Sequence, residues 1–359
     1  MSAPTDAAGA AAVDLSVVIV TWNTRDITRA CLDALFPALD GIEGVASEVI
    51  VVDNGSRDGT VDAIRADHPR AQVVANDANL GFAKAANQGL RAGRGRFRCL
   101  LNSDTVPNRE AFVTLKRFLE ETPRAGGATP QLLNEDGTKQ NCFDNFPDLV
   151  TELTSKSLAR LIWPGRYLSK RVALERPTVV DLALGACFLL RASALDEVGL
   201  LDEDYFFFQE DADLCFRLHR AGWPVYVVPE ATLVHLQGKS KARAPAAAWI
   251  EYHRSMYLFF RKCRGPLPYA ALRVFRPLKL LLNLLLNAIA TATTLGLAER
   301  PRRKLATYAT LVHWHLRLCP EGWGLPREAP ALPPGAPPLP GRAAATGRGA
   351  NAGAGAARS

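Results

Sequence analysis

The chain has 359 residues, 48% hydrophobic and 22% charged, which is enough to bury a large core and is too apolar for a disordered protein. Its seven cysteines are odd in number and scattered, with no Cys-x-x-Cys pair, which argues against a disulfide framework or zinc knuckle and fits a reducing compartment. The net charge of +7 is uneven: residues 236–319 carry 15 Lys or Arg against 2 Glu, so this third is expected to meet an anionic surface, a membrane or a polyphosphate.

The N-terminal "MSAPTDAAGAAAVD" has no basic n-region and no sustained apolar run, so no signal peptide is expected and residues 1–13 read as disordered. "LSVVIV" (Leu15 to Val20) then reads as a buried strand. The "VTWNTRD" that follows places Thr21, Trp22 and Asn23 at its carboxyl end. Those residues suit either the wall of a nucleotide site or a plain helix start capped by Asn23 or Thr24. A helix is predicted from Arg25. The next strand, "EVIVVD" (Glu48 to Asp53), ends in Asp53, and Asn54-Gly55 turns the chain sharply. Asp53 is placed to accept a hydrogen bond from a base N–H, while Asp58 or Thr60 caps the following helix.

"QVVA" (Gln72 to Ala75) is a further strand, and "GFAKAANQGLRAG" from Gly81 a helix. "FRCLLN" (Phe97 to Asn102) leads into Asn102-Ser103-Asp104. A carboxylate at a strand end suits a hard divalent cation that bridges to substrate phosphates. A capping role for Asp104 fits poorly, because the next helix begins near Asn108. "VYVV" (Val225 to Val228) is the last predicted strand. The alternation of strand and helix predicts an α/β sheet with helices on both faces, and ligands then bind outside the carboxyl ends of the strands.

"YFFFQEDADLCFRLHRAGW" (Tyr205 to Trp223) sets Glu210, Asp211 and Asp213 directly behind four aromatic residues. Carboxylates beside an apolar wall are costly to ionise, so these acids are either a capped helix start or include a working base. After His235 the texture changes. "AAAWIEYHRSMYLFFRKCRG" predicts one helix ending near Gly265, and Leu278 to Ala298 is apolar enough to test as a membrane span. Lys279, Asn283, Asn287 and Thr291 form a polar stripe along it, and Arg273, Arg276, Arg300, Arg302, Arg303 and Lys304 flank it. Stripe and charge together favour an interfacial helix on an anionic membrane, with a true span or a core or dimer helix as alternatives. From about Leu325 the Pro/Ala/Gly/Arg-rich tail reads as disordered.

"VTWN", "VDNGSRDGT", "NLGFAKAANQG", "LNSD", "GACFLLR", "FFQEDADLCFRLHRAGW" and "VHLQGKS" occur in that order over residues 14–240. In this the chain resembles the inverting family 2 glycosyltransferases, and among them the rhamnosyltransferase-like branch acting on lipid-linked or polysaccharide acceptors. The resemblance implies the GT-A fold, a Rossmann-like mixed sheet with helices on both faces, followed here by a basic helical membrane-associating region at 241–320. It implies a nucleoside-diphosphate sugar donor, dTDP-rhamnose ahead of a UDP- or GDP-sugar, and Mg²⁺ or Mn²⁺ as cofactor. Asp53 matches the base-binding residue. Asp104 matches the metal-binding end of the family's Asp-x-Asp, whose first position is Asn102 here, and His235 matches a histidine that completes the metal site in some members. Asp211 matches the catalytic base.

Thr21, Trp22, Asn23, Lys84 and Asn102 are expected on the donor nucleotide, and Gly185, Phe208 and Glu210 in the sugar or acceptor pocket. Lys239 and Lys241 would add to the field at the diphosphate. Asp213 then reads as a helical ion pair with Arg217, Glu210 as favoured by the helix dipole, and Gly222 as the helix stop. The expected place is the cytoplasmic face of the plasma membrane, peripherally bound. A catalytically silent scaffold is the alternative of another class, against which Asp104 and Asp211 both speak. No Gly-x-Gly-x-x-Gly follows the first strand, which disfavours a dehydrogenase. The Leu runs of the basic segment favour lipid over nucleic acid.

Overall fold

A computed structural model describes residues 13–325 except 155, 170, 171, 173, 237–244 and 296. The ends expected to be disordered, up to residue 12 and from 326 on, lie outside the described residues, as do Lys239 and Lys241. The N-terminal half builds β1 (Leu15–Thr21), α1 (Arg25–Asp40), β2 (Ser47–Asp53), α2 (Thr60–Asp67), β3 (Gln72–Ala75), α3 (Phe82–Ala92), β4 (Phe97–Asn102), β5 (Thr105–Val106) and α4 (Arg109–Glu121). Then come β6 (Gly127–Leu133), β7 (Phe143–Asp144), α5 (Leu149–Leu153), α6 (Lys156–Ile162), β8 (Thr178–Val180), β9 (Leu182–Ala183), β10 (Cys187–Arg191), α7 (Ala192–Val198), α8 (Glu210–Arg220) and β11 (Val225–His235). The C-terminal part is helical: α9 (Pro245–Phe259), a π-helical turn (Phe260–Arg264), α10 (Pro266–Thr293) and α11 (Glu299–Leu316).

The main sheet runs β3-β2-β1-β4-β10-β6-β11-β5, with β8 also paired to β11. β3, β2, β1 and β4 are parallel, and β10 enters antiparallel between β4 and β6, which restores the direction for β11. Its central strands read as near-continuous Val, Ile and Leu because both faces are covered: Val17, Ile19 and Val51 on one face and Val18, Ile50 and Leu100 on the other are all buried. The register Thr21↔Asp53 and Val20↔Asn102 lines up the carboxyl ends of β1, β2 and β4 along one edge. Sequence reading found five strands. β6 and β10 carry the sheet past β4, but the Gly, Thr, Pro and Gln of "GATPQLL" interrupt β6's apolar pattern. β11 runs seven residues beyond its predicted end, past Pro229, where a register shift between Val228 and Thr232 absorbs the irregularity.

α3 lies close on β1 and β2 because Gly89 has no side chain; a Cβ there would meet Val18 Cγ1 at 2.3 Å and Val52 Cγ2 at 3.2 Å. Asn108 caps α4, accepting from the Ala111 N–H at 2.8 Å.

α10 starts twelve residues, about three turns, before the predicted apolar run, with Pro266 in its first turn. It is long and apolar enough to cross a membrane by length and composition. Its polar stripe is half-buried, whereas Leu278, Leu281, Leu282, Leu285, Leu286 and Ile289 are each more than half exposed. The stripe therefore does not face outward as a water-facing strip. Lys279 donates to the Glu152 carbonyl at 2.6 Å, and Asn283, Asn287 and Thr291 bond back to carbonyls four residues earlier. With polar groups satisfied internally and Leu turned out, the surface suits lipid contact. Buried Arg276 ties α10 to Glu152 of α5 and donates to His253 of α9 at 3.0 Å.

The close approach at Gly89 predicts that Gly89→Ala overpacks the α3–sheet seam and costs roughly 1–3 kcal/mol. A thermal or urea midpoint equal to wild type would refute that packing.

Candidate functional site

The carboxyl edge of the sheet collects polar side chains that the strands cannot satisfy. Asp53, almost fully buried, accepts the Ser56 N–H on Oδ2 at 2.9 Å, while its buried Oδ1 has no hydrogen-bond partner. A buried acceptor without a donor is expensive unless a ligand supplies one. Asn54 beside it accepts the Leu80 N–H at 2.9 Å and donates to Asn79 Oδ1 at 2.9 Å and the Gly81 carbonyl at 3.1 Å. The "VDNGS" and "NLGF" segments are thus one interlocked floor.

Asn23, at φ 51, donates its N–H to Ser56 Oγ at 2.7 Å and accepts the Arg57 N–H at 2.8 Å. Asp58 accepts from the N–H of Arg25 at 3.0 Å and of Thr60 at 3.2 Å, so it serves the starts of both α1 and α2. The cap position of α2 itself is Gly59, and Thr24 makes no capping bond.

A second cluster forms where β5 pairs with β11, His235 opposite Thr105. The Leu236 N–H donates to the Asp104 carbonyl at 2.8 Å, which locks the two chains together. His235 Nε2 consequently lies 3.1 Å from Asp104 Oδ1. Gln140 holds the other ring nitrogen: its Oε1 is 2.7 Å from Nδ1, and its Nε2 donates to Asn134 Oδ1 at 2.9 Å and the His235 carbonyl at 3.1 Å. Those two acceptors fix the amide so that its oxygen faces the ring, which makes Nδ1 the donor. In the neutral imidazole the Nε2 lone pair then points at a carboxylate oxygen, and only a cation or a proton between them relieves that clash.

An oxygen and an imidazole nitrogen with a positioned outer partner fit a divalent ion. Among the described residues no group of three or more His, Cys, Asp or Glu surrounds this point. Asp104 and His235 would therefore hold such an ion together with water and substrate oxygens.

The third cluster is the start of α8. Phe208 and Gln209 both take positive φ, 70 and 67, which is rare for non-glycine residues. The turn is braced from both sides: the Phe82 N–H donates to the Phe206 carbonyl at 2.7 Å, and Ser255 of α9 donates to the Phe207 carbonyl at 2.8 Å. Gly81, at φ +88, lies so close that a Cβ would stand 2.7 Å from Phe206. The turn delivers Asp211 half-buried, with the Ala212 N–H at 2.8 Å and the Gly185 N–H donating to it. Burial pushes its carboxyl up to about 6 against those donors. Glu210 is buried, its Oε2 is unpartnered, and burial followed by the Asp211 charge pushes it up to about 8. This corrects the reading of Glu210 as a dipole-stabilised helix-start anion. Asp213 does pair with Arg217, at 2.8 Å.

Not every expected residue points at this edge. The Thr21 hydroxyl is buried and shared with Thr24 and Thr28 at 2.9 and 2.8 Å, so its side chain is spent inside α1's start. Trp22 is exposed beside the edge. Lys84 is exposed on α3, where its charge acts on Glu203 and Asp204. Asn102 ends β4, its N–H donating to the Ala186 carbonyl at 2.9 Å. Gly185 has open space where a Cβ would be, and the Phe208 ring packs on Phe207 and Tyr252. Sequence reading missed Gln140, Asp144 and Ser255, which lie far from the recognisable motifs; only their tertiary partners reveal them.

The family model "Glycosyltransferase like family 2" matches residues 12–257. N-acetylglucosaminyl-diphospho-decaprenol L-rhamnosyltransferase of Mycobacterium tuberculosis is 32% identical over 261 residues, covering 68% of this chain and 83% of that one. Rhamnosyltransferase WbbL of Escherichia coli is 41% identical over 137 residues, 38% of this chain and 50% of that one. Among solved structures, a mannosyltransferase of Pyrobaculum calidifontis, in complex with GDP-Man and Mn²⁺, superposes with a TM-score of 0.52 at 19% identity, covering 84% of this chain and 86% of that one. It shares the fold. With the matched model spanning the sheet and all three clusters, the chain belongs to the family 2 glycosyltransferases and is a glycosyltransferase of rhamnosyltransferase-like type.

Proposed function

We propose that this enzyme moves L-rhamnose, with inversion, from dTDP-rhamnose to a hydroxyl of a sugar carried on a polyprenyl diphosphate. The observation that carries the reaction type is Asp211: one half-buried carboxyl near neutrality, set by a strained turn beside the Gly185 N–H. The M. tuberculosis relative's own substrates support the sugar and the acceptor class. A UDP- or GDP-sugar is the alternative donor, and the GDP-Man complex of the archaeal structure keeps that reading open.

In this reading Asp53 Oδ1 accepts from the donor's base, and the Asn23–Ser56 stitch fixes that wall. Asp104 and His235 would hold a Mg²⁺ or Mn²⁺ against the diphosphate. When bound, such an ion supplies Lewis-acid stabilisation of the leaving diphosphate. Asp211 takes the proton of the acceptor hydroxyl as that oxygen bonds to the anomeric carbon. The bond from that carbon to the diphosphate oxygen breaks, and its electron pair leaves with the nucleoside diphosphate. A single displacement with one base inverts the centre and needs no nucleophilic carboxylate. The lipid-facing Leu surface of α10 and its basic flanks support a place on an anionic membrane, at its cytoplasmic face.

Asp211→Asn is expected to retain donor binding and to lose transfer by about 10²-fold or more; unchanged turnover would remove Asp211 as the base. In wild type the base is ionised above about pH 6. Transfer should thus fall about tenfold per pH unit below that point, and a flat profile down to pH 5 would contradict the assignment.

Asp104→Ala and His235→Ala should each weaken Mn²⁺-dependent donor binding by roughly tenfold or more, and Gln140→Ala should do so to a lesser degree. Calorimetric titrations indifferent to all three changes would sink the metal pair.

Glu210 gives a stability test with its own sign. Its pKa rises from 4.5 unfolded to about 8 folded, so the folded state keeps a proton that the unfolded chain has lost. Stability is present at low pH and declines as pH climbs through that window. Glu210→Gln should therefore raise the melting temperature at pH 8 by a few degrees relative to wild type, and a lowered midpoint would refute the burial argument.

A further inference from the structure

An apolar groove between α5 and α6 has no role in the chemistry above. Leu149, Val150, Leu153, Leu158, Ile162 and Trp163 line it around about 310 Å³ of space, within the range of small-ligand sites. Leu158, Ile162 and Trp163 are about half exposed, which is a poor arrangement in water unless something covers them.

Its surroundings say what. Beside it, through the neighbouring positions Val150–Thr151 and Ala159–Arg160, the same two helices contribute Thr151 and Arg160 to a small polar pocket with Asp144, Asn145 and Tyr167. Arg160 Nε is buried there without a hydrogen-bond partner. Asp144 is close enough to Asp211 for its charge to act on the base. At its Leu153–Thr154 edge, Lys279 of α10 donates to the carbonyls of Glu152 at 2.6 Å and Thr154 at 3.3 Å. The groove edge at Leu153 and Thr154 thus adjoins the helix whose exposed face is Leu. The neighbours therefore follow one another as base, polar pocket with a cation, apolar groove and the exposed Leu face of α10. A lipid-linked acceptor has the same order: hydroxyl, diphosphate, isoprene chain, bilayer.

We propose that this groove seats the isoprene units next to the diphosphate of a polyprenyl-diphosphate acceptor, with Arg160 facing the diphosphate. The inference rests on the acceptor class proposed above. The volume suits a short run of isoprene and is too small for a partner protein's helix, and a lining that is apolar but for Thr154 offers little to a sugar chain. Preference for an isoprenoid over a lipid-free acceptor is then set here, separately from the sugar site.

The test uses the full chain with two acceptors carrying the same sugar diphosphate, one esterified to a decaprenyl chain and one to a methyl group that cannot reach the groove. Leu158→Ser and Ile162→Ser, both at exposed positions, are expected to raise KM for the decaprenyl acceptor about tenfold. They should leave KM for the methyl acceptor, donor hydrolysis and sedimentation with anionic vesicles unchanged. Arg160→Gln should raise KM for both acceptors. If the Ser variants shift both acceptors equally, release the protein from vesicles, or change its oligomeric state with KM unaltered, the groove is a structural, bilayer or self-association surface and the proposal is overturned. A wild type that prefers the decaprenyl acceptor, with Ser variants keeping that preference, overturns the groove alone. A wild type indifferent to the lipid overturns the acceptor class itself, and the groove with it.

Discussion

The structure turns on the cost of keeping a carboxylate out of water. Asp211 does its proposed work only if its proton affinity is raised toward neutrality, and burial supplies that rise. Burial without compensation would neutralise the group outright, so donors must be aimed at it: the Ala212 N–H and the Gly185 N–H. Bringing Asp211 to them requires the turn at Phe208 and Gln209, whose left-handed backbone is unfavourable for both residues. The turn persists because neighbouring elements hold its carbonyls, α3 through Phe82 and α9 through Ser255. Glu210 marks how dry the place is, because its own carboxyl is pushed further still.

The same economy shapes the other two clusters. At Asp53 one carboxylate oxygen is satisfied by the loop and the other is left for a ligand. At Asp104 the strand pairing of β5 with β11 sets His235 Nε2 3.1 Å from a carboxylate oxygen, a pair that would suit a cation between them. Each cluster is locally under-satisfied and is held by backbone hydrogen bonds that cannot give way. That is the physical form of a preorganised site.

The C-terminal helices read differently. α10 turns its polar stripe toward the protein and its Leu surface outward, reversing the pattern of a helix on a water-exposed surface. Arg276 and Lys279 clamp it to α5. The sheet domain and a helix with an exposed Leu surface are therefore joined at α5, which is also one wall of the apolar groove.

The sequence by itself determined the α/β frame, the strand ends at Asp53 and Asn102, and the family, because short-range signals carry all three. Buried parallel strands must be apolar, and turn residues must follow them. It determined the Asp213–Arg217 pair for the same reason, since four residues on a helix always face one another. Only the tertiary structure decided which acid is a plain anion and which is raised, since desolvation comes from residues distant in the chain. It moved Glu210 from a dipole-favoured anion to a buried acid, and it spent the Thr21 hydroxyl inside α1's start. It also joined Asp104 to His235 across 131 positions and set Gln140 behind the ring. Periodicity showed that α10 has a polar stripe; the direction in which that stripe faces depends on what packs against it, and no local pattern encodes that.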